Sequence, residues 1–257
     1  MEESLQYIRD NRDLIRAKNY QDFFNQCDSD LVSEVTAKLV EANIPFLSYM
    51  TKIVPFMFAD DCSIPEGFKI PANISEISDY AFTNNANLTR LTLPNTVKAI
   101  GDGVFMDCGN LEELKLSDNL TIIPSNLISN TDSLTHISIP ASVQELEEGC
   151  FSTTYFTTVE FKGNKIKSIS DGAFFDTELI TITIPEGVET IDITAFANCR
   201  RLISVHFPST IKWIARTAFA NCNSLEKVYY NGTKEEWENN IKCFSPEINE
   251  AEVKFLK

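Results

Sequence analysis

The sequence predicts an α/β solenoid of short parallel strands, preceded by a small α-helical N-terminal domain. Three observations carry that prediction. A 23-residue unit recurs in register over most of the chain. The fullest units place two apolar residues two apart, then a Pro, then two spaced apolar positions and a Phe. The opening segment, 1–62, lacks the unit and shows helical spacing instead.

The clearest copies are LTRLTLPNTVKAIGDGVFMDCGN (Leu88 to Asn110), LITITIPEGVETIDITAFANCRR (Leu179 to Arg201) and LISVHFPSTIKWIARTAFANCNS (Leu202 to Ser224). Weaker copies fill the gaps. Pro65 to Asn87 ends in Tyr80-Ala81-Phe82, and Leu111 to Ser133 has Leu127-Ile128 for Ala-Phe and Thr131 for Cys. Leu134 to Tyr155 is one residue short, with Cys150-Phe151 at the Ala-Phe position. Phe156 to Glu178 carries an extra residue around Lys162-Gly163-Asn164 and recovers at Ala173-Phe174. Leu225, Val228 and Tyr230 begin a partial eighth copy, so residues 63–230 form the solenoid.

Residues two apart on a strand face the same way. The apolar pair of each unit therefore points into a shared core while its neighbours point out. Pro94, Pro140, Pro185 and Pro208 follow the strand, where a missing N–H costs least. The V-x-x-I segment runs along a second side, and Ala-Phe fills the third corner. One unit cannot bury its own Phe, whereas a stack buries them all in one core.

The front end is read as residues 1–62. Leu5, Ile8, Leu14 and Ile15 recur at roughly helical spacing, and Phe23 and Phe24 sit in a second short helix. Asp28 or Ser29 caps a third helix bearing Leu31, Val35, Leu39 and Val40, which Ile44-Pro45 ends. A fourth helix is expected to carry Phe46, Leu47, Met50, Ile53 and Val54. This segment is either a cap over the open end of the stack or a separate recognition module.

The unit resembles the BspA-like class of bacterial leucine-rich repeats, with consensus L-x-L-P-x-x-V-x-x-I-G-x-x-A-F-x-x-C. Ile100-Gly101, Val104-Phe105 and Cys108 carry the likeness, as do Ala195-Phe196-Ala197-Asn198-Cys199 and Ala218-Phe219-Ala220-Asn221-Cys222. It covers about residues 65–230. Residues 231–257 look like the closing segment of such proteins: Thr233 and Glu236 form a capping box, Trp237 and Ile241 cover the last repeat, and Ala251 to Leu256 adds a strand. The resemblance implies a protein that binds other proteins, displayed at a surface in many members and intracellular in others, including those of bacteriophages.

The formal net charge is −15, split as −5 over residues 1–62 and −10 over the rest. No Lys/Arg run tracks phosphates, which argues against binding nucleic acid or an anionic membrane. No stretch is long and apolar enough to span a bilayer. The N-terminal residues lack the pattern of an export signal, and seven Cys occur without a C-x-x-C pair. These features lead us to expect reduced thiols in the cytoplasm of a bacterium or of an infected host cell.

No catalytic, cofactor or metal motif occurs, so no enzyme and no cofactor are expected. His136 and His206 fall on outward strand positions. They are three units apart, which strand spacing makes about 14 Å. Cys108, Cys199 and Cys222 share one repeat position and read as packing residues, with the last two as vertical neighbours.

The outward row of strand side chains is the candidate contact face. Its distinctive members are Lys69, Arg90, Glu113, Lys115, His136, Glu160, His206, Lys227 and Tyr229, with Tyr229 and the two His as possible anchors. The row is less acidic than the chain as a whole. Three functions fit: an intracellular protein-binding inhibitor or adaptor of bacterial or phage origin, an acidic decoy that blocks a nucleic-acid site on a target protein, and an adhesin-like surface protein.

Overall fold

The computed structural model describes residues 2–60, 62–65 and 67–257. Met1 and Asp61 of the front segment and Glu66 of the first unit lie outside the described residues. The fold is a parallel-strand solenoid behind four short helices, α1 (Glu2–Asp10), α2 (Arg12–Arg16), α3 (Tyr20–Asn25) and α4 (Ser29–Glu41). The stretch from Leu5 to Ile15, where helical spacing was read, is broken at Asn11 between α1 and α2. Asp28 caps α4 by accepting the Asp30 N–H at 3.2 Å. Asn43, at φ 53°, ends that turn. It lies in the left-handed region that Asn tolerates.

The expected fourth helix does not form. Phe46–Tyr49 is a single 3-10 turn, and Lys52–Ile53 is already a strand, paired in parallel with Glu76–Ile77. The stack of turns therefore starts inside the segment 1–62. The helical turn ends locally at Met50, whose backbone is already extended at φ −112° and ψ 158°. The apolar face of Phe46, Leu47, Met50 and Ile53 is then buried by the first turn of the solenoid.

From Arg90 onward each repeat turn contributes two strands. The first row comprises Arg90–Thr92, Glu113–Lys115, His136–Ile139, Thr158–Phe161, Thr181–Thr183, Ser204–Phe207, Lys227–Tyr230 and Glu252–Phe255. The second row, where the V-x-x-I segments run, consists of two-residue strands from Lys52–Ile53 to Lys242–Cys243. All named pairs in both rows are parallel, and partners such as Thr181 and Ser204 sit one unit apart. A strand expected over Gly67 to Lys69 is absent. Pro71 holds the same repeat position as Pro94, which does not prevent a strand, so what differs lies at the start of the stretch, where Pro65 precedes a turn. Gly67 takes φ 72°, and the Phe68 N–H turns back to the Pro65 carbonyl at 3.0 Å.

The third corner is a ladder of turns. Phe82, Phe105, Phe151, Phe174 and Phe196 each donate a backbone N–H to the next turn. Their buried rings form two stacks. One runs Phe58–Phe82–Phe105, with centroids 5.0 and 5.6 Å apart. The other runs Phe151–Phe174–Phe196–Phe219 at 5.5, 5.3 and 5.1 Å. Ile128 stands between them, fully buried.

The backbone goes left-handed on both sides of the Phe position. Two residues before it lie Phe56, Tyr80, Gly103, Asn126, Gly149, Gly172 and Thr194, and two after it lie Asp60, Asn84, Asp107, Asn130, Thr153, Asp176, Asn198 and Asn221. Gly, Asn and Asp hold most of these places because a β-branched residue is strained there by its Cβ. The later column is laced by side chains, with Asn84 donating to Asp60 at 3.1 Å and Asn130 to Asp107 at 3.0 Å. Thr153, at φ 53°, interrupts it. Thr153→Asn is expected to stabilise the protein by about 1 kcal/mol, raising the thermal midpoint by roughly 2–4 °C. A lower midpoint for the variant in a calorimetric scan would contradict this account of the column.

Both ends are closed. The ring series Phe24–Phe46–Phe58, at 5.6 and 6.4 Å, joins the helical core to the first Phe stack, so the helices cover the N-terminal end. The Gln21 side-chain oxygen accepts the N–H groups of Thr51 and Lys52 at the edge of the second row. At the far end α5 (Lys234–Asn240) opens with the Thr233/Glu236 capping box. Trp237 packs on Tyr230 and Phe207 at 5.2 and 6.1 Å. α6 (Pro246–Glu250) buries Ile248, and Glu252–Phe255 closes the first row against Lys227–Tyr230.

Candidate functional site

The first row alternates as the sequence predicts. Leu91, Leu114, Ile137, Ile182, Val205 and Val228 point inward and are buried, and their neighbours face out. Register places Arg90 beside Glu113 and Thr92 beside Lys115. It places His136 beside Thr158, and Ser138 beside Glu160. Thr183, His206 and Tyr229 follow one another across three turns, with Lys227 next to Ser204.

These residues fall into three groups. At the N-terminal end Lys69, Arg90, Glu113, Lys115 and His136 line one groove of about 1120 Å³, together with Ile64, Phe68, Thr89 and Glu112. Arg90 is shared between Glu112 at 3.5 Å and Glu113 at 3.8 Å. Lys69 and Lys115 make no ion pair among the described residues. The groove exists because the strand expected at Gly67 to Lys69 does not form.

In the middle His136 Nδ1 lies 2.9 Å from Thr158 Oγ1 and its Nε2 lies 3.3 Å from Ser138 Oγ. Ser138 donates to Glu160 at 3.0 Å. The hydrogen bond from Lys162, then that from Ser138, hold the Glu160 carboxyl below the usual carboxylate range. The order differs from a nucleophilic triad, in which His takes the hydroxyl proton and an acid orients the His. Here the hydroxyl sits between the His and the acid and gives its hydrogen to the acid.

Toward the C-terminus the His206 and Tyr229 rings stack with centroids 4.3 Å apart and planes 14° apart. Burial lowers the His206 pKa by disfavouring the charged ring. The two His thus serve in separate groups. Among the described residues, no cluster of three His, Cys, Asp or Glu side chains is arranged to hold a metal ion. Nor is any helix long and apolar enough to cross a membrane.

The shared Cys position is a packing position. Cys108 donates to the Phe82 carbonyl at 3.0 Å and Cys222 to that of Phe196 at 3.1 Å, and both are buried. Burial pushes the Cys108 thiol up to about 12. A hydrogen bond with Cys199, then burial, push Cys222 up as well.

Two features escaped the sequence reading. Glu112 enters the groove from one residue before the strand. On the second row, exposed Ile193, Trp213 and Phe244 gather near Asp171, Asp192 and Arg216, with the Trp213 and Phe244 rings 4.8 Å apart. An aromatic, Trp213, at a repeat position held by non-aromatic residues in the turns from Lys52 to Thr190 was the available signal for the second.

Stacked parallel turns with a leucine-lined inner face and an open outer row define a leucine-rich-repeat solenoid, a class of binding scaffold. The sequence profile of the BspA-type leucine-rich-repeat region, with six copies, matches residues 51–176 and 167–255, and the chain belongs to that family. A leucine-rich cell surface protein from Faecalibacterium prausnitzii is similar in structure, with TM-score 0.50, 22% identity, and coverage of 75% of this chain and 60% of that one. A leucine-rich repeat protein from Eubacterium ventriosum has TM-score 0.46, 22% identity, and coverage of 74% and 54%. The pneumococcal vaccine antigen PcpA has TM-score 0.45, 15% identity, and coverage of 82% and 78%. The chain thus spans just over half the length of the Faecalibacterium and Eubacterium proteins. A comparison with curated proteins gives no match.

Proposed function

We propose that this protein is a non-enzymatic protein-binding module that takes its partner on the outward face of the first row. The observation that supports this most is the groove at the N-terminal end of that face. It gathers Lys69, Arg90 and Lys115 on a chain of net charge −15. In this reading the protein works inside a bacterial or infected cell as an inhibitor or adaptor, and its free thiols fit a reducing compartment. A second reading, display at a surface, is favoured by the similarity to a protein described as a leucine-rich cell surface protein.

Photo-crosslinking tests the first reading. A crosslinking residue placed at Thr92 or Thr183, on the first row, is expected to capture one stoichiometric protein from nuclease-treated lysate. The same residue at Glu145, on the second row, is expected to capture none. Lys115→Glu is expected to weaken capture at Thr92 by about tenfold, since a contact charge is reversed. Capture only from Glu145, lost at high salt, would replace this reading with the acidic decoy. Capture of extracellular material from intact cells would move the protein to the surface.

A further inference from the structure

We infer that the N-terminal groove accepts an extended acidic peptide segment of the partner, docked along the free edge of the strand Arg90–Thr92. This rests on the protein-binding reading above and adds the chemistry of what is bound.

The first argument is an unfinished hydrogen-bond ladder. Arg90–Thr92 pairs with Glu113–Lys115 on one side only. In that ladder Thr89 accepts from Glu113, and Leu93 donates to Lys115. Alternation along a parallel strand then aims the Arg90 carbonyl and both backbone groups of Thr92 at the opposite edge. None of these three groups has a hydrogen-bond partner among the described residues. The equivalent carbonyls of Lys115 and His206 do, accepting from Leu93 and Ile184 of the preceding turns at 2.9 Å each.

The chain's own segment is badly placed to finish the ladder. The Phe68 N–H is committed to Pro65, and the Ile70 N–H, one unit before that of Leu93, makes no bond to the Thr92 carbonyl among the described residues. The Phe68 ring is anchored against Phe58 and Phe82, at 5.2 and 6.3 Å. What remains is a groove with an unpaired sheet edge, the feature that strand addition uses.

The second argument is charge. Lys69 and Lys115 are exposed and free of ion pairs among the described residues, and Arg90 lies between them in turn order. Glu112 and Glu113 also face the groove but share Arg90, and His136 stands at its far end. An incoming strand with carboxylates on alternate residues would meet Lys69 and Lys115 and offer backbone N–H and C=O groups to the edge. A phosphodiester chain would satisfy the lysines but has no such donor–acceptor alternation, so the geometry favours a peptide.

The test uses the full chain and a fluorescent peptide of about ten residues alternating Glu and Val, a length typical of a strand. Binding is read by anisotropy. The Glu/Val peptide is expected to bind, and a Lys/Val peptide is not. Affinity is expected to fall about tenfold or more in a Lys69→Glu/Lys115→Glu variant, and likewise when alternate peptide amides are N-methylated. Lys212→Glu, on the second row, is expected to leave it unchanged. Hydrogen exchange at the Thr92 amide is expected to be fast in the free protein and slowed by the peptide.

Equal binding of the N-methylated peptide would overturn strand pairing, and indifference to the lysine reversals would overturn the charge argument. A Thr92 amide already protected in the free chain would show that residues 67–70 close the edge themselves, and would also overturn the inference. If crosslinking at Thr183 captures a partner while the Glu/Val peptide fails to bind, only this inference falls and the protein-binding reading stands.

Discussion

Replacing Phe174 with Ala is expected to cost about 3–5 kcal/mol, the range for emptying a buried aromatic site. Its ring is fully buried between Phe151 and Phe196, 5.5 and 5.3 Å away, with Phe161 edge-on at 6.2 Å. These neighbours are held by ladders on all three sides of the stack and cannot collapse into the space. The thermal midpoint should fall by roughly 6–20 °C. Because each turn touches only its neighbours, the defect should also broaden the denaturant transition. Ile193→Ala is the matched control, since that side chain is 55% exposed. A fall below about 2 °C for Phe174→Ala would mean that the Phe stack is not what holds adjacent turns together.

The second large effect is expected at Gly187. It sits at φ +103°, and a Cβ there would lie 2.4 Å from the Asn164 carbonyl oxygen. Asn164 belongs to the segment that carries the one-residue insertion. Gly187→Ala adds about 1–2 kcal/mol of backbone strain to an overlap that typically costs ~1–3 kcal/mol. Gly109 offers the comparison, because a Cβ there meets nothing within 4 Å. Gly109→Ala is expected to leave the denaturation midpoint within a degree or two of the parent, on the order of 0.5 kcal/mol. Equal behaviour of the two variants would show that the insertion relaxes rather than clashes.

Much of this architecture was readable because it repeats. The first-row strands, the Ala-Phe corner and the capping box at Thr233 all follow from positions compared one unit apart. His206 and Tyr229 were legible as outward neighbours one unit apart, whereas the stacking of their rings was not read from the sequence. Other elements were hidden for physical reasons. Met50, Ile53 and Val54 fall at helical intervals, yet Ile53 belongs to a strand of two residues, too short to show any period. A turn at Pro65 to Phe68, with Gly67 left-handed, stands where the repeat demands a strand, and the groove lies beside it. Its charges were visible in the sequence. Its shape was not, because it arises from a strand that fails to form.

The matched registers of the two strand rows also have a genetic consequence. Thr181 and Ser204 are paired one unit apart, as are Thr190 and Trp213 on the other row. An in-frame duplication of Leu179 to Arg201 would insert a complete turn whose upper side accepts what its lower side offers. The helical end and the α5–α6 end would keep their contacts. The outward face would lengthen by about 4.8 Å per copy. Reach in this molecule is therefore graduated like a ruler, and recombination between units in the same register is enough to add or remove a mark.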